Sequence, residues 1–394
     1  MPRAPGPRRF SAAPARECSR IAHMTELPAG ELGDRIAQAR SRHGLTQAQL
    51  AAAIGIDRSA LAKIEGGTRR VSALELAGIA EELGERIEWF VLPSPPAIVS
   101  HRNLQEPGTP SPEIDKLLER LAWNVEFMTE HDRALGLDGP VQMAKPGSIA
   151  EAEEAARSAR ERLGLDDAEP ARDIGRKMGE LGLLVFSFEL GADAADAASL
   201  LLRAGGIALI NGSLQVGRRR LALAHEFGHY LFADEYTVDW RLGAAADTGA
   251  WETRLDRFAR AVLLPVRSLP ARWREYAATE GVRTAAVRLA SDYQVDMTTL
   301  AQRLLELEVI EAKQAGFIRT VRTTAADIVE FDLVPRHELE PPYLSHRYQK
   351  SVLRLLRAGV VSTARAADLL FDTIEEGELP GPDQLAENAI WDFV

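Results

Sequence analysis

The residues best equipped for chemistry lie in one apolar run, LALAHEFGHYLF, at positions 221–232. His225 and His229 are four apart, and Glu226 directly follows the first. On a helix, positions i and i+4 share a face. Both imidazoles can therefore hold one zinc ion, at about 2.0–2.1 Å from each nitrogen. Glu226 sits beside His225, close enough to reach a water on that metal. This places a base next to a metal-activated nucleophile, as peptide-bond hydrolysis needs. With 8 His in 394 residues, such a pattern arises by chance in roughly one chain of this kind in a hundred.

A third ligand is in reach downstream. Glu252 and Asp256 stand at i and i+4 in a helical run, ETRLDRFARAVLLP. Glu252 can complete a His-His-Glu site and leave the fourth position for water. Asp256 can then accept the second N–H of a ligand histidine and fix its tautomer. The plainer reading of both acids is as solvated charges on an amphipathic helix. Asp234, Glu235, Asp239 and Asp247 lie in the same window, with Asp247 the rival third ligand. Tyr230 and His101 are the candidates for steadying an oxyanion.

The stretch RRRLALAHEFGHYLF, followed by ETRLDRFARAVLLP, resembles the ImmA/IrrE family of zinc metallopeptidases over roughly residues 150–270. The resemblance implies a zincin-like fold, Zn2+ as cofactor, and Glu252 as the third ligand beside His225 and His229. It also implies that an edge strand near the metal helix, here the strand at 206–210, holds an extended peptide by strand addition. The chain departs from the family pattern where Leu255-Asp256 replaces the usual Ala-Asn and Leu264 replaces the usual Met before Pro265. Asp256 accepts a hydrogen bond from histidine at least as well as Asn does.

The N-terminal third has a different character. Residues 33–90 read as four or five short helices. Thr46 is a natural N-cap for a helix at 47–54, and Asp57 for one at 58–65, with Gly55-Ile56 as the turn between and Gly66-Gly67 as the stop. Two short helices joined by a tight Gly-containing turn form the helix-turn-helix pattern, whose second helix presents its N-terminal residues to the major groove. Residues 34–70 carry seven Lys/Arg against three acids, a net of +4, whereas 71–90 net −4. The basic half is the DNA face that phosphate neutralisation requires. Arg58, Ser59 and Lys63 are expected at or near base edges. Gln47, Arg69 and Arg70 are expected to position phosphates, with Thr46 at the helix start beside them. Ile54, Ile56, Leu61, Ile64, Leu74, Leu76 and Ile79 are the expected core. The stretch LTQAQLAAAIGIDRSALAKIEGG resembles the Xre/Cro type of helix-turn-helix. The resemblance implies double-stranded DNA as partner and, with one copy per chain, a homodimer.

The expected organisation is a disordered extension at 1–30, a helix-turn-helix domain at 31–92, and a linker with one helix at 93–148. A metallopeptidase domain at 149–310 and a C-terminal α/β region with an acidic tail at 311–394 follow. The fold class is mostly α with a small β-sheet: an all-α first domain, an α+β second domain and a mainly helical end. Helices are expected at 113–132, 149–163, 168–181 and 283–307, the last as a pair packed inward through Met297, Leu300 and Leu304. Two further helices are expected in 347–376. Strands are expected at 183–189, 206–210, 316–321 and 328–334. Arg218, Arg219 and Arg220 read as a solvated face or an anion site.

Composition limits the function classes. Apolar content of 46% with 27% charged residues is ordinary for a globular chain. A net charge of −11 is not that of a uniformly basic protein, and a locally basic face is compatible with it. The one cysteine, Cys18, rules out an internal disulfide or a cysteine metal cluster. No apolar run reaches 18 residues, and a cytoplasmic setting fits. The expected function is a DNA-binding transcriptional regulator with a zinc metallopeptidase-type domain that cleaves or senses a partner protein or peptide. The alternatives are a non-catalytic sensor and the antitoxin or immunity half of a two-gene system, for which the tail at 377–394 is the one hint.

Overall fold

The computed structural model describes residues 29–85, 87–91, 99–102, 112–137, 142–233, 248–333 and 337–381. The expectations placed on Cys18 and the N-terminal extension, on the acids at 234–247, and on the end of the acidic tail lie outside these residues. The chain divides into two compact units, Met1–Ser94 and Pro95–Val394. Among the described residues no helix is long and apolar enough to cross a membrane.

The first unit is all α. Its helices are α1 (Ala29–Arg42), α2 (Gln47–Ala53), α3 (Arg58–Glu65), α4 (Ala73–Glu82) and α5 (Ile87–Val91). Thr46 starts α2 with a capping box: its hydroxyl accepts from the Gln49 amide, and the Gln49 side chain accepts from the Thr46 amide. Asp57 stands at the N-cap of α3 with extended backbone, but its side chain makes no capping bond. The core gathers Ile36, Leu50, Leu61, Ile64, Ile79, Leu83 and Phe90, with Ile54 and Ile56 packed at its margin. Leu74, expected in that core, is 86% exposed. Leu76, Ile79 and Leu83 share one face of α4, and a residue two positions before Leu76 points the other way on a 3.6-residue turn. Gly33 lets α1 lie directly on the end of α3: a Cβ there would fall 2.4 Å from the carbonyl oxygens of Ile64 and Glu65.

The second unit is built on a five-stranded sheet of order β1-β3-β4-β2-β5. Its first elements are β1 (Val99–Arg102), α6 (Pro112–His131), α7 (Ile149–Arg162) and α8 (Ile174–Glu180). The strands β2 (Leu183–Phe188), β3 (Ala197–Leu201) and β4 (Gly206–Asn211) follow, then α9 (Val216–Leu231) and α10 (Thr248–Leu263). A helical run comes next: α11 (Leu269–Glu280), α12 (Val282–Tyr293), α13 (Met297–Glu306), α14 (Ala312–Thr320) and α15 (Ala325–Glu330). The unit closes with β5 (Tyr343–Leu344), α16 (His346–Arg357) and α17 (Thr363–Leu369). β2 and β4 pair in parallel, and the other neighbours are antiparallel.

Alternation along the strands splits the core in two. Leu183, Val185, Ala208 and Ile210 face a layer that holds α9, α10 and the α12–α13 pair. Leu184, Phe186, Ile207 and Leu209 face α6 and α16, where Phe186 meets Tyr348 edge-on at 5.0 Å. α9 is buried nearly throughout from Gly217 to Leu231, as befits a helix clasped between the sheet and α10. Leu300 and Leu304 pack inward as expected, and Met297 lies at the margin of the same cluster.

Several expectations are corrected. The segments at 316–321 and 328–333 are helical in part, not strands, because Ala315 and Ile318 bury one face of α14 at helical spacing while Phe317 stays half exposed. Helix α8 starts at Ile174 instead of 168, after Asp173 takes a left-handed conformation. A third strand, β3, fills what read as a loop between 189 and 206. The triplet Arg218, Arg219 and Arg220 is neither a solvated face nor an anion site. Arg218 forks onto Asp196 with two bonds of 2.8 Å. Arg219 donates to the Gly212 carbonyl at 3.0 Å. Arg220 donates to the Ala171 carbonyl at 2.6 Å and pairs with Glu338.

Candidate metal centre and nucleic-acid interface

α9 supplies His225 and His229 from successive turns, their ring centroids 5.0 Å apart. α10 crosses α9 and supplies Glu252 and Asp256, again one turn apart. Gly228 makes the crossing close, since a Cβ there would lie 2.8 Å from the Leu255 side chain and 3.1 Å from the Phe258 ring. One ligand atom each from His225, His229 and Glu252 lie within 4.8 Å of one another. His225 Nε2 is 3.2 Å from Glu252 Oε2. Two donors on one tetrahedral zinc ion stand about 3.3 Å apart, so this pair already has the right spacing. The donor set, two imidazoles and a carboxylate, is that of an open zinc site.

The partners of these residues fit the same reading. His225 Nδ1 is 3.1 Å from Asp256 Oδ1. A proton held on Nδ1 by that carboxylate leaves the Nε2 lone pair directed at the shared point. Burial pushes the Glu252 carboxyl up, but the neighbouring imidazoles of His225 and His229 outweigh it and hold it below the ordinary carboxylate value. Glu226 is fully buried. Its Oε2 accepts from the Ser199 hydroxyl at 2.5 Å, and its Oε1 has no hydrogen-bond partner among the described residues. A buried carboxylate oxygen without a partner is costly, and a water or a metal-bound group beside it would satisfy it.

Behind Asp256 runs a file of alternating charges. Arg260 lies 3.7 Å from Asp256 and 2.7 Å from Glu306. Arg257 bridges Glu306 and Glu153, and Arg303, fully buried, forks onto Glu153. These pairs tie α10 to α7 and α13.

Three sequence candidates fall away or out of view. The Tyr230 hydroxyl donates to the Leu181 carbonyl at 2.8 Å and is buried, which takes it out of oxyanion chemistry. The side chain of His101 and the rival ligand Asp247 are outside the described residues. Ser199 was not anticipated: it sits on a strand 27 positions from the Glu226 carboxylate it touches, and no periodicity links the two.

In the first unit, Arg58, Ser59, Lys63, Arg70 and Thr46 are exposed on or beside α2 and α3. Gln47 and Arg69 are less free. The Gln47 amide donates to Glu65 at 2.7 Å, and Arg40 forks onto the same carboxylate at 2.6 and 3.1 Å. Arg69 is held by Glu75 at 2.7 Å. Ser72 caps Glu75 from the other side, so its carboxyl lies below its ordinary value, first through the Ser72 amide and then through Arg69.

Comparison with known proteins gives a family match in each unit. A helix-turn-helix family model matches residues 36–90, and a model for the IrrE N-terminal-like domain, a peptidase family, matches residues 178–305. No curated protein matches. Among solved structures, the restriction-modification controller protein C.AhdI from Aeromonas hydrophila is 31% identical over 16% of this chain and 94% of its own, with a TM-score of 0.16. PlcR of Bacillus thuringiensis, solved with the peptide PapR7 and DNA, is 13% identical over 88% of this chain and 96% of its own, with a TM-score of 0.17. The chain belongs, through its first unit, to the Xre-like helix-turn-helix proteins, and residues 178–305 of its second unit match the IrrE N-terminal-like domain.

Proposed function

We propose that this protein is a transcriptional regulator that binds DNA through its first unit and hydrolyses a peptide bond of a partner protein at its second. The observation that carries the enzymatic half is the meeting of three donors, His225, His229 and Glu252, beside a buried carboxylate with one oxygen unpartnered among the described residues. The donor chemistry suits zinc. Zinc bound there would supply a polarised water whose pKa falls to about 7. Asp256 orients His225, Ser199 holds one oxygen of Glu226, and Glu226 Oε1 takes up a proton and returns it to the departing amine. In the first unit, Arg58, Ser59 and Lys63 read bases, while Thr46 and Arg70 meet phosphates. Gln47 and Arg69 act one step back, through the contacts that brace the reading helix. The regulator works as a homodimer on a two-fold site.

The decisive experiment is metal analysis of the chain purified without chelators. The expected result is one zinc per chain, lost in Glu252→Ala and retained in Glu226→Gln. Absence of metal after reconstitution would remove the peptidase reading and leave a DNA-binding regulator.

A further inference from the structure

The outer side of β3, the strand whose Ser199 touches Glu226, is already occupied. β3 has β4 on one side and β1 on the other. β1 runs antiparallel to β3, with Ser100 opposite Ser199 and His101 opposite Ala198. Directly opposed residues of antiparallel strands have Cα atoms about 4.5–5.5 Å apart. The Ser199 hydroxyl donates to Glu226, and α9 approaches β1 as well as β3. A strand of four residues thus passes the carboxylate whose other oxygen is buried and has no partner among the described residues.

An extended peptide joins a sheet at an unpaired edge. β4, the strand expected for this task, offers none, because β3 and β2 flank it. Among the described residues the outer side of β1 is unpaired, but it lies one strand farther from Glu226 than β3, whose one outer side β1 holds. β1 belongs to the segment between the helix-turn-helix helices and α6, where Pro93, Pro95, Pro96, Pro107, Pro110 and Pro112 surround it. A four-residue edge strand between prolines is weakly anchored. We propose that β1 stands in the place of the peptide substrate along β3, so that the chain holds its own linker across the site and a partner peptide enters only when β1 leaves. The occupant is an extended peptide, antiparallel to β3. The functional meaning rests on the peptidase reading, but the exchange of strands is measurable without it.

The test uses the full chain loaded with zinc and carrying Glu226→Gln, so that peptide is not consumed. The probe is a fluorescent peptide with the sequence of residues 97–104, followed by anisotropy. Ser100→Pro with His101→Pro removes both alternating amides, whichever faces β3. The expected result is peptide binding at least tenfold tighter than to the chain with β1 intact, and equal affinity overturns the proposal. A second measurement does not depend on how the proline variant folds. In a Cys18→Ser background, cysteine pairs replace Ser100 with Ser199, or His101 with Ala198, one of which is the closer, non-hydrogen-bonded register. At least one pair should cross-link on mild oxidation and block the probe until reduced. Failure of both to cross-link also overturns the proposal. If the probe binds the proline variant tightly but is not cleaved when Glu226 is restored, the peptidase reading fails and the strand exchange stands. Cleavage with equal affinities would instead leave the peptidase reading in place and remove the strand exchange.

Discussion

Replacing Asp256 should loosen the metal while leaving the fold in place. The Asp256 carboxylate meets His225 Nδ1 at 3.1 Å. His225 is only 3% exposed, so solvent reaches that nitrogen poorly once the carboxylate is gone. Loss of such a partner lowers metal affinity by about 10- to 100-fold, which is about 1.4–2.8 kcal/mol. The Asp256 side chain is itself 33% exposed, and water can enter part of the space it vacates. Asp256→Ala is therefore expected in the lower half of that range. Asp256→Asn keeps an acceptor oxygen and should lose less than about tenfold. The assay is competition for zinc against a chromogenic chelator at fixed pH, with circular dichroism to confirm the fold. Unchanged affinity in Asp256→Ala would refute the orienting role. An Asn variant as weak as the Ala variant would show that the charge, shared with Arg260 at 3.7 Å, matters more than the acceptor.

Arg40→Ala leaves the nearly buried Glu65 carboxylate with Gln47 as its remaining side-chain partner. It should destabilise the first unit by about 3 kcal/mol, the lower end for breaking a buried pair, read as faster hydrogen exchange of α1 and α3 amides; unchanged exchange would count against a structural role. On a nonspecific duplex, Arg70→Ala should lower the salt slope of binding by about 1, whereas Arg58→Ala should reduce discrimination for the cognate site by about 1–3 kcal/mol, and the reverse pattern would interchange their roles. The Asp132 carboxylate accepts from Ser351 at 2.6 Å and Arg354 at 2.6 Å. Burial raises its pKa, but those bonds and the Arg354 charge prevail and it lies below the ordinary value. Its contribution is thus fully present above about pH 4 and fades as the pH falls through the folded-state value. Urea unfolding should show the wild type more stable than Asp132→Asn at pH 7, with the gap narrowing below pH 4; a gap that widens on acidification would contradict this.

What the sequence made legible followed from periodicity. His225 with His229, and Glu252 with Asp256, are i, i+4 pairs, and a helix alone brings each pair to one face. Thr46 and Gly66 mark helix ends by local chemistry that needs no tertiary context. The misses are long-range. β3 reads AASLL, with no β-branched residue, and becomes a strand because β4 and β1 pair with it. Ser199 acquires its role only when β3 packs on α9. Arg219 and Arg220 read as surface charges, yet backbone carbonyls at Gly212 and Ala171 receive them inside. Leu74 reads as core because its neighbours are, and only the rotation of α4 shows that it faces out.

The file of charges behind the site explains how an aspartate is accommodated where the resembling family usually has Asn. A partly buried Asp256 beside His225 would be costly if isolated. Here Arg260 stands between Asp256 and Glu306, and Arg257, Glu153 and Arg303 continue the alternation of sign inward. Each charge has an opposite neighbour, so the file as a whole is neutral. A well-packed apolar core of the same volume would be at least as stable, so stability does not account for it. Its geometric effect is direct: α7 grips α10 at Arg257 through Glu153, which Arg303 of α13 holds in turn, and α13 grips α10 at Arg257 and Arg260 through Glu306. Those two residues lie on the turns next to Glu252 and Asp256. The rotation of α10 about its own axis, which decides whether Glu252 reaches His225 Nε2 and Asp256 reaches His225 Nδ1, is therefore set by directional hydrogen bonds as well as by apolar packing.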